Sequence, residues 1–205
     1  MPKRTVDRML AGFKSFKAMY YEQRPERVED LVNMGQKPEV LLIACSDSRV
    51  DPAILTNAEP GEMFVIRNVA NLVPPYEPDE NYHGTSSAIE FAVRDLKVKD
   101  IVILGHSACG GMQALVEHGE AGKVPDRDFI GEWVSMAKCC LHHGPDVDEV
   151  SRQSVANSLG NLMTFPFIKE RVEAGDLKLH GWWYGMKEGI LWQYDSAKDE
   201  FMEGL

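Results

Sequence analysis

Two apolar runs, each ending in a residue with chemistry to offer, organise the chain. Val40-Leu-Leu-Ile-Ala44 is closed by Cys45 and then by Ser46-Asp47-Ser48-Arg49; Ile101-Val-Ile-Leu104 leads through Gly105 into His106-Ser-Ala-Cys109-Gly-Gly111. Unbroken apolar stretches of this length suit strands covered on both faces, as in a parallel sheet. Between them, Thr85 is a suitable N-cap for a helix with Ile89, Ala92, Val93 and Leu96 on one face. Strand, crossover helix and strand form a βαβ unit, which favours a parallel sheet. Its strand ends would then carry Cys45, His106 and Cys109 side by side, where open α/β sheets bind ligands.

Around this unit the pattern predicts further elements. Residues 5 to 34 read as two helices divided at Arg24-Pro25, because the residue before proline avoids the α region. The first carries Met9, Phe13, Phe16 and Tyr20 on an apolar face that needs a cover, such as a partner subunit. Asp51-Pro52 opens a short helix, Met63 to Ile66 is a second strand, and Asn71 to Tyr82, with Pro74, Pro75 and Pro78, is loop. Helices are predicted after Gly111, over 126–141, along the stripe Val155, Leu159, Leu162 and Met163, and over Phe167 to Val172 before Gly175. Leu177 to Tyr184 and Ile190 to Tyr194, turned through Met186-Lys-Glu-Gly189, predict a β-hairpin. The fold class is α/β: one domain over 1–205, with a mainly parallel central sheet flanked by helices, an N-terminal helical arm (1–34) and a C-terminal β-hairpin.

Composition narrows the function classes. The 205 residues suffice for one sizeable core, and 44% hydrophobic with 26% charged residues is the balance of a soluble globular domain. No apolar run approaches a membrane span. A net charge of −10 without a dense basic stripe argues against nucleic acid as a partner. Met1-Pro-Lys-Arg-Thr-Val-Asp7 has no apolar segment of the secretory type, so the four cysteines read as free thiols of a cytoplasmic protein.

Free thiols beside an imidazole point to a metal. Zinc is held by thiolate and imidazole, and a catalytic site keeps three protein ligands and one open position. Cys45, His106 and Cys109 supply two sulfurs and a nitrogen. Taken singly, a buried Cys is more often a small hydrophobe; placed together on two strand ends, the three read as ligands. Asp47 and Arg49, at alternate positions, can form a bidentate pair that orients a carboxylate beside the metal. Cys139, Cys140, His142 and His143 are read as helix packing in preference to a second metal cluster. A redox role for Cys45 and Cys109 lacks a Cys-x-x-Cys motif.

With those residues in view, Cys45-Ser-Asp-Ser-Arg49 and His106-Ser-Ala-Cys109-Gly-Gly resemble the β-class carbonic anhydrases. The similarity extends through Glu59-Pro-Gly-Glu-Met-Phe-Val-Ile-Arg-Asn-Val-Ala-Asn71 and Ser158-Leu-Gly-Asn-Leu162. The resemblance implies one Zn2+ per subunit on Cys45, His106 and Cys109. It also implies reversible hydration of carbon dioxide to bicarbonate and a proton through a zinc-bound hydroxide. Asp47 would orient that hydroxide, Arg49 would keep Asp47 ionised, and Asp47 would join the metal only if the site closes. Gln36, Phe64, Val69, Phe91 and Gly110 fall on the substrate pocket, with Gln36 and Phe64 coming from the adjacent subunit. N-terminal helices would wrap a neighbour in a homodimer, and dimers would pair into tetramers or larger assemblies.

Gln36, Phe64 and Asn71-Leu-Val-Pro-Pro-Tyr76 match the plant-like, open-site branch. Leu42 stands where the bicarbonate-inhibited branch carries Trp, although Arg67 and Tyr184 match the other two members of that regulatory site. Two positions depart from the plant pattern: Phe91 replaces a pocket Tyr, and Asp95 replaces the proton-transfer His. A carboxylate is a poor proton relay near neutrality, which leaves proton export to buffer or another group. The competing readings are a carbon disulfide or carbonyl sulfide hydrolase on the same fold and, in a different class, a zinc-stabilised interaction protein. Retention of Asp47, Arg49 and Gln36 argues against the last.

Overall fold

The structure is a computed structural model that describes residues 4–119 and 127–204. It divides into two units, residues 1–37 and 38–205. The N-terminal unit holds helix α1 (Thr5–Lys17), which runs on as a π-helical turn (Ala18–Glu22), and α2 (Pro25–Asn33), with Pro25 at its first turn. Neither helix contains a buried residue, and Met9, Leu10 and Phe13 are exposed on α1. Phe16 stacks toward Phe13 and Tyr20, with ring centroids 6.2 and 4.7 Å apart. That is the apolar face expected from the sequence.

The second unit is built on a six-stranded sheet in the order β2-β1-β3-β4-β5-β6. The strands are β1 (Val40–Cys45), β2 (Met63–Asn68), β3 (Asp100–His106), β4 (Lys178–Gly185), β5 (Ile190–Asp195) and β6 (Glu200–Glu203). The first four are mutually parallel, and β5 and β6 are antiparallel additions. Side chains alternate across the sheet. Leu41, Ile43, Ile101 and Ile103 join one core with Ile89, Val93, Val155, Leu162 and Ile168. Leu42, Ala44, Val102 and Leu104 point the other way, with Trp182, Tyr184 and Leu191. The runs 40–44 of β1 and 101–104 of β3 are therefore apolar on both faces.

The helices of this unit are α3 (Pro52–Thr56), α4 (Gly84–Glu90, continued as a π-helical turn over Phe91–Asp95), α5 (Gly110–Gly119), α6 (Ile130–Ser135), α7 (Val147–Leu162) and α8 (Pro166–Glu173). Asp51 caps α3, accepting from the N–H groups of Ala53 and Ile54, and Asp146 caps α7, accepting from Glu149 N–H at 2.8 Å. Thr85 is not the cap of α4: the helix opens after His83, and the Thr85 hydroxyl instead accepts from Asn68 Nδ2 at 3.3 Å. The helix expected over 126–141 begins outside the described residues. Within them it is broken, α6 being followed by a 3-10 segment over Lys138–His143. At that break the Ser135 hydroxyl donates back to the Glu132 carbonyl, competing with the helical ladder. The C-terminal hairpin gains a third strand, β6, in which Phe201 packs on Tyr194 with ring centroids 5.3 Å apart.

Close packing fixes α7 against β3. A Cβ on Gly105 would lie 2.6 Å from Val155 Cγ2 and 3.1 Å from Trp183 Cδ1. Gly105→Ala is therefore expected to destabilise the protein by roughly 1–3 kcal/mol, the usual cost of overpacking a filled core. Chemical denaturation would report this as a lower midpoint at unchanged slope. An unchanged midpoint would mean that α7 yields freely.

Candidate metal centre

The sheet order places chemistry at a switch point. The chain leaves β1 toward β2 on one side and returns as β3 on the other, and ligands settle in the crevice at the strand ends where such an order reverses. Ala44 pairs with Leu104, so Cys45 and His106 finish neighbouring strands. A short turn then carries the chain to Cys109 at the start of α5. The donor atoms of Cys45, His106 and Cys109 all lie within 4.8 Å of one another, and all three residues are buried. Among the described residues no other group of three or more potential donors converges in this way. Cys139 and Cys140 lie in the 3-10 segment, with their sulfurs 3.9 Å apart and Cys139 Sγ donating to Asn157 Oδ1.

The donor set fits a thiophilic divalent cation. His106 Nδ1 bonds to the Ser107 carbonyl at 2.8 Å, which makes Nδ1 the protonated nitrogen. Nε2 then carries its lone pair inward, buried and with no partner among the described protein atoms. A buried polar atom left unpaired costs free energy and calls for an explanation, and a metal supplies one. The sulfurs agree. The Cys109 thiol beside it pushes Cys45 down against the cost of burial, helped by the His106 ring and by the backbone N–H groups of Asp47 and Ala70. Cys45 in turn, together with burial, pushes Cys109 up. Two thiolates this close repel each other, so a cation is what lets both sulfurs ionise.

Around the triad, side chains pin the backbone. Arg49 Nε and Nη2 donate to the two Asp47 carboxylate oxygens at 2.9 and 2.7 Å, and the Arg49 N–H donates to Oδ1 as well. This realises the bidentate pair expected from the alternate spacing. It holds Asp47 well below the usual carboxylate range, and the carboxylate stands outside the donor group. Arg49 Nη2 also reaches the Ala108 carbonyl at 3.0 Å. Arg67 donates to the Cys45 carbonyl at 3.0 Å, to the Asp47 carbonyl at 2.7 Å and to Asp51 at 2.9 Å. Its clamp on the first ligand segment had no local signal in the sequence, because its partners lie about twenty residues away.

The expected pocket residues divide. Gly111, one of the two glycines opening α5, admits the 69–71 turn, since a Cβ there would meet Ala70 Cβ and Val69 Cγ1 at 2.9 Å each. Gly110 is exposed with open space around it. Val69 is half-exposed, and its carbonyl accepts from Trp133 Nε1 at 2.7 Å. Phe64 and Phe91 pack on each other, ring centroids 5.9 Å apart. Phe64 pairs in register with Leu41, four residues before Cys45, or about 13 Å along the strand. A single chain therefore leaves these two rings off the ligand group. Gln36 is exposed in the N-terminal unit. The Ser158–Leu162 motif holds the chain just after the 69–71 turn: Ser158 Oγ accepts from Val73 N–H, and Asn161 Nδ2 donates to the Val73 carbonyl.

Comparison with known proteins agrees with this geometry. The family model for carbonic anhydrase matches residues 40–191. A carbonic anhydrase of Synechocystis sp. is 34% identical over 208 residues, spanning 96% of this chain and 74% of that protein. Among solved structures, the β-carbonic anhydrase CcaA superposes with a TM-score of 0.86 at 32% identity, covering 98% of this chain and 92% of that one. A structure from a study of two tetrameric β-carbonic anhydrases of Sordaria macrospora gives 0.79 at 29% identity, covering 93% and 97%. A buried Cys-His-Cys group at a sheet switch point, on this topology and with these relatives, leaves one assignment: the chain belongs to the carbonic anhydrase family, in its β class.

Proposed function

We propose that the protein catalyses the reversible hydration of carbon dioxide to bicarbonate at zinc held by Cys45, His106 and Cys109. The observation that carries this reading is the unpaired, buried His106 Nε2 facing two buried sulfurs. Bound there, zinc would act as a Lewis acid that brings the pKa of water toward neutrality, as it does in the three-histidine carbonic anhydrases. The chain supplies orientation. Asp47, kept ionised by Arg49, would be the acceptor that orients the reacting water. With both Asp47 oxygens engaged by Arg49, the carboxylate would stay clear of a metal held by Cys45, His106 and Cys109, which supports the open-site reading.

Val69 and Gly110 line the substrate pocket in this reading, and Gln36 with the packed pair Phe64 and Phe91 completes it from a second copy. That arrangement suits the distance of Phe64 from the ligands within one chain and the uncovered aromatic face of α1. The assembly is a homodimer whose N-terminal helices wrap the neighbour, with pairing into tetramers as in the Sordaria relatives. No helix among the described residues is long and apolar enough to cross a membrane. Separately, the four free cysteines favour a reducing compartment, and on that ground we place the enzyme in the cytoplasm.

Stopped-flow carbon dioxide hydration on metal-quantified protein tests the reading across about pH 6.5 to 9, around the zinc-water pKa. Zinc near one per chain and a rate that rises with pH are expected. A rate that also climbs with buffer concentration would place proton export outside the protein, as Asp95 in place of His implies. Full zinc without hydration at any pH would sink the assignment; carbon disulfide and carbonyl sulfide would then be the substrates to try.

A further inference from the structure

Ala108, between two of the metal ligands, has a φ of 50°. That left-handed conformation is costly for a residue with a Cβ and persists only where the surroundings impose it. Here both polar groups of its backbone are held by side chains from distant segments. Its N–H donates to Asp148 Oδ1 at 2.7 Å, and its carbonyl accepts from Arg49 Nη2 at 3.0 Å. Asp148 sits in the first turn of α7 but does not cap it, since that role belongs to Asp146. One turn further on, the Ser151 hydroxyl donates to the His106 carbonyl at 2.9 Å and accepts from Trp183 Nε1 at 3.1 Å. The start of α7 therefore grips the ligand turn at two of its four residues.

We propose that Asp148 is a positioning residue for the metal centre. By holding Ala108 left-handed, it keeps the turn from His106 to Cys109 folded back so that the Cys109 thiol meets the other two donors. The same peptide presents the Ala108 carbonyl that anchors Arg49, and through Arg49 the Asp47 carboxylate. Water can satisfy the exposed Ala108 N–H once Asp148 is gone, but water does not fix φ. The turn then relaxes toward right-handed backbone and carries Cys109 with it. This inference rests on the zinc reading of the three ligands.

The test is zinc release from the holoenzyme into a chromophoric chelator, with kcat and KM measured in parallel. Wild-type protein holding no stoichiometric zinc would refute the zinc reading itself, before any variant is compared. Given a loaded wild type, Asp148→Ala is expected to release zinc at least about tenfold faster and to lose kcat by a similar factor with little change in KM. Asp148→Asn keeps an acceptor oxygen and should stay within about threefold of wild type, against that tenfold effect. Asp148→Ser, too short to reach Ala108 yet favourable in a first helical turn, should behave like the alanine variant and stands in if that variant fails to fold. Hydrogen exchange at the Ala108 amide should rise in both. Asp146→Ala weakens the cap of the same helix without touching Ala108, and should leave zinc release near wild type. Unchanged release in Asp148→Ala and Asp148→Ser, or an equal rise in Asp146→Ala, would overturn the proposal.

Discussion

His106→Ala is expected to purify with substoichiometric zinc and to hydrate carbon dioxide no faster than the uncatalysed reaction. The substitution removes one of three donors and leaves two neighbouring sulfurs in a buried pocket, too few to hold the metal tightly. Metal binding and folding are coupled, so melting temperature gives a second readout. A ligand at a thousand times its dissociation constant adds ~4 kcal/mol, and each kcal/mol is worth ~2–4 °C for a chain of this size. Zinc-loaded wild type should thus melt roughly 10 °C above its chelator-stripped form at equal protein concentration. His106→Ala should show no gap between the two conditions. A variant that kept full zinc and full activity would remove His106 from the ligand set.

The reason His106 stood out in the sequence also explains what did not. Apolar runs that end in reactive residues mark buried strands directly, and β1 and β3 follow them, with the ligands on adjoining ends. Alternate spacing was enough to bring Asp47 and Arg49 into a bidentate pair, because both ends of the interaction lie in one short segment. The α7 helix was fainter. Its inner face carries Ser151, Ser154 and Ser158, all buried, which dilute the apolar period that marks a core helix. Each serine is paired: with the His106 carbonyl, the Ser151 carbonyl and the Val73 N–H respectively. Those bonds let polar residues occupy the core beside a metal turn that needs them. Strand β6 was missed because Glu200-Phe-Met-Glu203 is short, half acidic and exposed except at Phe201. The backbone-clamping roles of Arg67 and Asp148 were hidden for another reason. Their work is done on backbone atoms of remote segments, and backbone atoms leave no mark in sequence.

Asp47→Asn should retain one zinc per chain yet lose roughly a hundredfold in kcat/KM, the upper range for groups that orient a metal's reactants. Zinc is retained because Asp47 stands outside the donor group. Activity falls because the amide replaces one acceptor oxygen with a donor, and the Arg49 fork no longer meets a carboxylate. Arg49→Ala should fall by a comparable factor, since it strips Asp47 of two side-chain bonds and the Ala108 carbonyl of its partner. Arg49→Lys should recover little, because an ammonium cannot reproduce a planar two-donor fork. The Arg49 loss should not appear as instability, because its side chain is 54% exposed and ion pairs made at the surface contribute little to folding. The pair acts as one unit, so Asp47→Asn/Arg49→Ala should be no slower than the worse single variant. Zinc loss in either single variant would make the pair a prop for the metal. Fully additive losses would instead give Asp47 and Arg49 separate tasks, with Arg49 acting on the substrate directly.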